Sequence, residues 1–185
     1  MSPSFGYTIL GFGGGKAPPV PIAEDLTYSA HDTNIAGNAS HDIELDPYNA
    51  NKCLLMWTAG DWDGQLRAGT IDGDTITWGS TVEFSTASAE AGHLAFDPNT
   101  ENSFLICWRD DPGQRTHTAI AGTISGTTIT LGTKTDISVD PASEEYVLES
   151  NCIFNANRAG QAVTFSPNQD NSTRAGAAEI KSLTV

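Results

Sequence analysis

The chain has 185 residues and a mass of 19.5 kDa, enough for one domain with a sizeable core or a few small repeated units, and too short for a large multidomain enzyme. Nine Lys and Arg stand against 23 Asp and Glu, a formal net charge of −14 with a pI near 4.3, so the whole molecule repels a phosphate backbone or an anionic membrane surface. Hydrophobic residues make up only 38% while Gly numbers 18, a balance that suits short strands and many turns and predicts an all-β chain.

Residues 1–25 come first and differ in kind from the rest. Phe5, Tyr7, Ile9, Leu10 and Phe12 are interleaved with glycines, and Ala17-Pro18-Pro19-Val20-Pro21 follows as a stiff spacer. So short a segment cannot bury its own aromatic rings, and these five side chains are read as an anchoring peg that orders against a partner. No basic stretch precedes its apolar residues and no apolar run approaches bilayer-spanning length, so neither an export signal nor membrane insertion is predicted. The run GFGGGK does not make a nucleotide site. Leu10 stands where a phosphate-binding loop needs its first glycine, Ala17 where it needs Ser or Thr, and Lys16 where a dinucleotide fingerprint needs its last glycine.

From residue 26 onward the sequence repeats. Asp46-Pro47 aligns with Asp97-Pro98 and Trp57 with Trp108, each pair 51 residues apart, and Gly69 then matches Gly122. A more diverged third copy aligns Phe154 with Phe96, Phe165 with Trp108 and Gly176 with Gly122. Upstream, Tyr28 and Ile137 precede Leu45 and Phe154 by the same 17 residues. Three modules result, spanning about 26–79, 80–132 and 133–185.

Each module reads as the same series of strands. Ile43-Glu44-Leu45 and Leu94-Ala95-Phe96 alternate in the manner of half-buried strands and end in Asp-Pro turns. The runs CLLMW and FLICW are apolar throughout, as strands covered on both faces are. After a polar loop, RAGTI and IAGTI lead through Asp72-Gly73 and Ser125-Gly126 into TITW and TITL, a hairpin signal because the tight turn needs a positive φ that glycine adopts freely. The expected unit is a four-stranded antiparallel sheet, resembling a propeller blade or one face of a β-prism. A closed propeller needs about four to eight blades, so three point to an open or prism-like arrangement within an oligomer.

The candidate chemistry is sparse. Cys53, Cys107 and Cys152 each sit inside an apolar run and are expected to be reduced core residues. Asp61 and Asp63 begin a calcium-loop pattern that no third ligand completes, and His31, His41, His93 and His117 have no close ligand spacing, so no metal site is assigned. No nucleophile elbow is present, and the chain is expected to have no catalytic residues, no enzymatic activity and no cofactor. The loops at 59–66, 109–117 and 166–173 fall at equivalent places, and they are expected to present Trp62, Arg109, Arg115, His117 and Asn168 to solvent as a ligand- or host-contact surface. Trp62, an indole between two acids in a turn, suits stacking on a sugar ring.

The module pattern, an apolar residue before Asp-Pro, a Trp closing the dense strand, then Ala-Gly-Thr-Ile and a Gly-containing hairpin, resembles the tandem repeats of tail-fibre-like virion proteins of tailed bacteriophages that infect aquatic bacteria. The resemblance covers about residues 40–180, is clear in two modules and weak in the third, and this chain has only three modules where relatives often carry many. It implies a structural virion protein, a short tail fibre or baseplate appendage held by its N-terminus and contacting the host surface. Its expected partners are other virion proteins of the tail, baseplate or capsid, a host-surface glycan and further copies of itself, a trimer being favoured; nucleic acid is not expected. A capsid decoration protein and a free glycan-binding lectin are the alternatives.

Overall fold

The computed structural model describes residues 37–86, 88–110, 116–138, 146–147, 150–169 and 178–184. The described residues are all-β and form three antiparallel sheets, with no helix among them. The anchoring side chains expected at Phe5, Tyr7, Ile9, Leu10 and Phe12 lie outside the described residues, as does Arg115.

The first sheet contains β1 (Gly37–Leu45), β2 (Lys52–Ala59), β3 (Gly64–Asp72), β4 (Thr75–Trp78) and β5 (Val82–Ser85), ordered β1-β2-β3, with β4 and β5 sharing the far edge of β3. The second contains β6 (Ala89–Phe96), β7 (Ser103–Asp110), β8 (Thr116–Ser125), β9 (Thr128–Leu131) and β10 (Thr135–Asp136) in the corresponding order. In the third, β11 (Tyr146–Val147) and β12 (Asn151–Phe154) pair one after the other along β13 (Gln161–Gln169), and β14 (Ala178–Thr184) pairs with β13 on the edge opposite β12. Five, five and four strands thus replace the uniform four expected, because short returning segments add to the edges. β5 pairs with β3 and β10 with β8, so pairing runs past the boundaries expected after residues 79 and 132.

The strands form where the alternation and turn chemistry place them. Gly73 and Gly126 have φ of 55° and 61°, and the two-residue loops are Gly73-Asp74 and Gly126-Thr127, one residue beyond the expected links. A lone positive φ at the first loop position is the pattern of a type II′ turn, which glycine satisfies without strain.

Register corrects the third module. Leu45 pairs with Cys53, Phe96 with Phe104 and Phe154 with Ala162, so the place of Trp57 and Trp108, four residues further on, is taken by Ser166. Phe165 is one residue short of that place. A one-residue slip sends a side chain to the opposite face, so Phe165 is exposed where Trp108 is buried. The place of Gly69 and Gly122, opposite Cys53 and Phe104, is taken by Leu183 opposite Ala162, while Gly176 lies outside the described residues.

Two cores join the sheets in series. Leu54, Met56, Leu66 and Ala68 of the first sheet pack against Leu94, Phe96, Phe104, Ile106 and Trp108 of the second. On its opposite face, the second sheet sets Ala95, Leu105, Cys107 and Ala119 against Cys152, Phe154 and Ala162 of the third. β7 is therefore covered on both sides, as its unbroken apolar run requires. We call the face of Phe104 and Trp108, and its equivalent on each sheet, the front, and the other the back. At both junctions the back of one sheet meets the front of the next.

Candidate functional site

One edge strand of each sheet, β1, β6 and β12, approaches the next at one side of the stack. Between them lies an open groove of about 530 Å³. Its apolar wall includes Leu45, Pro47, Phe96, Pro98, Ile153 and Phe165, and its polar members are Glu44, His93 and Asn151. Leu45, Ile153 and Phe165 are among the few large apolar side chains left exposed, and they gather here rather than scatter.

A polar chain that includes His93 and Cys152 of the groove ties the three sheets together. Asp42 on β1 accepts a hydrogen bond from the backbone N–H of Leu94 on β6 at 2.9 Å, with the same carboxylate oxygen 3.7 Å from His93 Nδ1. His93 Nδ1 is in turn 3.9 Å from the Cys152 sulfur on β12. The interaction with Cys152, then the carboxylates of Asp42 and Glu44, hold the imidazole above its ordinary pKa although burial opposes them. Glu44 is itself held above the usual carboxylate range, by burial first and by the neighbouring Asp42 charge second.

Asp42, His93 and Cys152 have the residue types of a nucleophilic triad but not its geometry. Both partners crowd one ring nitrogen, whereas a relay uses the two nitrogens for base and orienting group. The Cys152 thiol is pushed well above its ordinary pKa by its hydrogen bond with Cys107 and by burial, so it stays protonated and can donate to the carbonyl oxygens of His93 or Leu105, each 3.7 Å away. The cluster acts as a cross-sheet tie.

The described loop residues singled out in the sequence differ in where the structure places them. Trp62 sits in the turn between β2 and β3 at φ 73°, 42% exposed, its N–H donating to the carbonyl of Ala59 and its carbonyl accepting from the N–H of Ala89, both at 2.9 Å. Arg109 lies within β7, half-buried and ion-paired with Glu90. His117 is not presented to solvent: it is 1% exposed, inside β8 directly opposite Arg109, with its N–H bonded to the Ser138 hydroxyl and its carbonyl to the N–H of Ile137. The physical reason is that the β7–β8 ladder extends to the Asp110–Thr116 pair, further than the polar composition suggested. Asn168 lies in β13, in register with Val147 of β11. The structure thus brings Arg109 and His117 together in the β7–β8 ladder and ties the Trp62 turn to Ala89, the β6 residue opposite Asp110.

The groove has no local signature in the sequence because its residues are contributed by three separate sheets. The available signal was the repeated position itself: Asp42, His93 and Asn151 occupy the same place, three residues before Leu45, Phe96 and Phe154. No family model matches this chain, nor does any curated protein.

Proposed function

We propose that this chain is a structural β-repeat protein of a virion, a short tail fibre or baseplate appendage of a tailed bacteriophage, built of three blade-like modules and held to the particle by residues 1–25. The observation that carries the reading is the serial junction, in which the back of one sheet meets the front of the next, twice. Such a stack grows by adding like modules and transmits position from one end to the other, as a scaffold requires. In this arrangement the sheets stand as blades, with β1, β6 and β12 innermost. The resemblance in module pattern supplies the virion context, and the aromatic and glycine-rich N-terminal segment supplies the attachment end.

The test is deletion of residues 1–25. The truncated chain is expected to keep its β-sheet circular dichroism and to be lost from purified particles; normal incorporation would sink the anchoring role. A glycan-binding role is favoured by one specific feature, the exposed indole of Trp62 on a backbone pinned at both its N–H and its carbonyl. On a glycan array, Trp62→Ala is expected to abolish any binding the parent shows, and equal binding by both proteins would remove the indole from the contact.

A further inference from the structure

We propose that two copies of this chain pair through the open ends of their sheet stacks, the front of the first sheet in one meeting the back of the third sheet in the other, so that the groove becomes a closed channel lined by both. The inference rests on the blade-like arrangement of the sheets and is independent of the virion role.

The repeat itself shows what each open end lacks. On the front of the first sheet, Ile43, Leu45 and Ile76 are 54%, 58% and 38% exposed, whereas Leu94, Phe96 and Ile129, which hold the same places on the second sheet, are 0%, 7% and 8% exposed. The neighbouring first sheet makes that difference. On the back of the third sheet, Ile153 and Phe165 are 68% and 39% exposed, whereas their equivalents Ala95 and Cys107, covered by the third sheet, are 9% and 0% exposed. One end thus leaves uncovered the margins of its front, at Ile43, Leu45 and Ile76, and the other leaves uncovered its back at Ile153 and Phe165, apolar positions whose equivalents are covered at the junctions inside the chain.

Both ends border the same groove, since Leu45 lines one wall and Ile153 and Phe165 another. A second copy seated there follows the same front-to-back order, meeting the first sheet along its exposed groove-side margin. The centre of the front face, at Cys53, Leu55 and Trp57, is already buried in the single chain, which confines the new contact to the groove-side rim and the β4 margin. A head-to-tail contact of this kind closes only when the sheets complete a turn. The described residues of two chains supply six sheets, within the range of about four to eight that closed propellers use, while those of three chains exceed it. A pair is therefore selected over the trimer expected from sequence.

The experiment is light scattering on the full chain at micromolar concentration, where twice the 19.5 kDa chain mass is expected. A single-chain or three-chain mass overturns the proposal, and leaves the virion role to be decided by the particle experiment. Leu45→Glu and Ile153→Glu are each expected to weaken pairing by about thirtyfold or more, with unchanged circular dichroism because both side chains are exposed. Pairing that survives both substitutions overturns the proposed surface. Under mild oxidation, Leu45→Cys protein mixed with Ile153→Cys protein is expected to give a cross-linked pair that neither gives alone. An internal disulfide in a chain carrying both substitutions, at single-chain mass, would show a stack closed on itself and overturn the proposal.

Discussion

Asp97 shows how one side chain fixes the relation between two sheets. It follows Phe96 in the turn leaving β6 and is almost wholly buried, one carboxylate oxygen accepting the N–H of Asn99 at 2.8 Å and the other the N–H of Gly160 at 2.7 Å in the third sheet's turn. Asp46 and Asn155 hold the same place, each capping the N–H two residues on at 2.9 Å. Burial alone would raise the Asp97 carboxyl, but the amides of Gly160 and Asn99, with the Thr100 hydroxyl and the Asn99 side chain, outweigh it and hold the group below its ordinary pKa of 3.8. A carboxylate whose folded pKa is depressed stabilises the fold above its unfolded value and loses that contribution as pH falls through the folded one. Asp97→Ala leaves two part-buried amides without acceptors and is expected to cost about 1–2 kcal/mol at neutral pH. Urea denaturation should show the gap between parent and variant narrowing only below about pH 4. A gap that stayed constant to pH 2 would remove the ionised carboxylate from the account.

At the scale of strands and hairpins, the sequence was legible wherever the determinant is local. Alternation located β1 and β6, unbroken apolar runs located β2 and β7, and the glycines located the hairpins into β4 and β9. The recurrent Ala-Gly has a packing reason that only the register reveals. Gly69 lies opposite Cys53 and Gly122 opposite Phe104, and a Cβ at Gly122 would fall on the Phe104 ring and within 2.9 Å of the Thr130 carbonyl oxygen. Gly122→Ala is accordingly expected to destabilise the protein by about 1–3 kcal/mol, whereas the same change at exposed Gly60, where a Cβ meets nothing within 4 Å, should cost well under half of that. Parallel thermal melts of the two variants test this, and equal losses would count against the close approach. What was not legible was register in the third module: Phe165 looked like the counterpart of Trp108, and only pairing with β12 shows it one residue away on the other face. His117 departs from the solvent-facing expectation for a related reason, since a polar residue near a loop gives no sign of how far the ladder continues.

For the molecule as a whole, the groove could not have been read from the chain because its residues come from three separate sheets, and the order of stacking is a property of packing rather than of any segment. Net charge, in contrast, was fully legible and bears directly on assembly. Each chain carries −14, so two copies repel at long range, and Glu44 adds a carboxylate on the wall they would share. The contact at Ile43, Leu45, Ile153 and Phe165 is apolar, and hydrophobic burial is not screened by salt. The Debye length falls from about 30 Å at 0.01 M to about 8 Å at 0.15 M salt, which removes most of the repulsion while leaving the apolar contact intact. Pairing is therefore expected to tighten several-fold over that range, as read by sedimentation equilibrium. An interface built on opposite charges behaves in the reverse way, so pairing that weakened with added salt would assign the contact to ion pairs elsewhere on the surface. Because pairing through an apolar contact on a −14 chain tightens with salt and pairing through ion pairs weakens, one salt series separates the apolar rim of the groove from an ion-paired surface that competes with it.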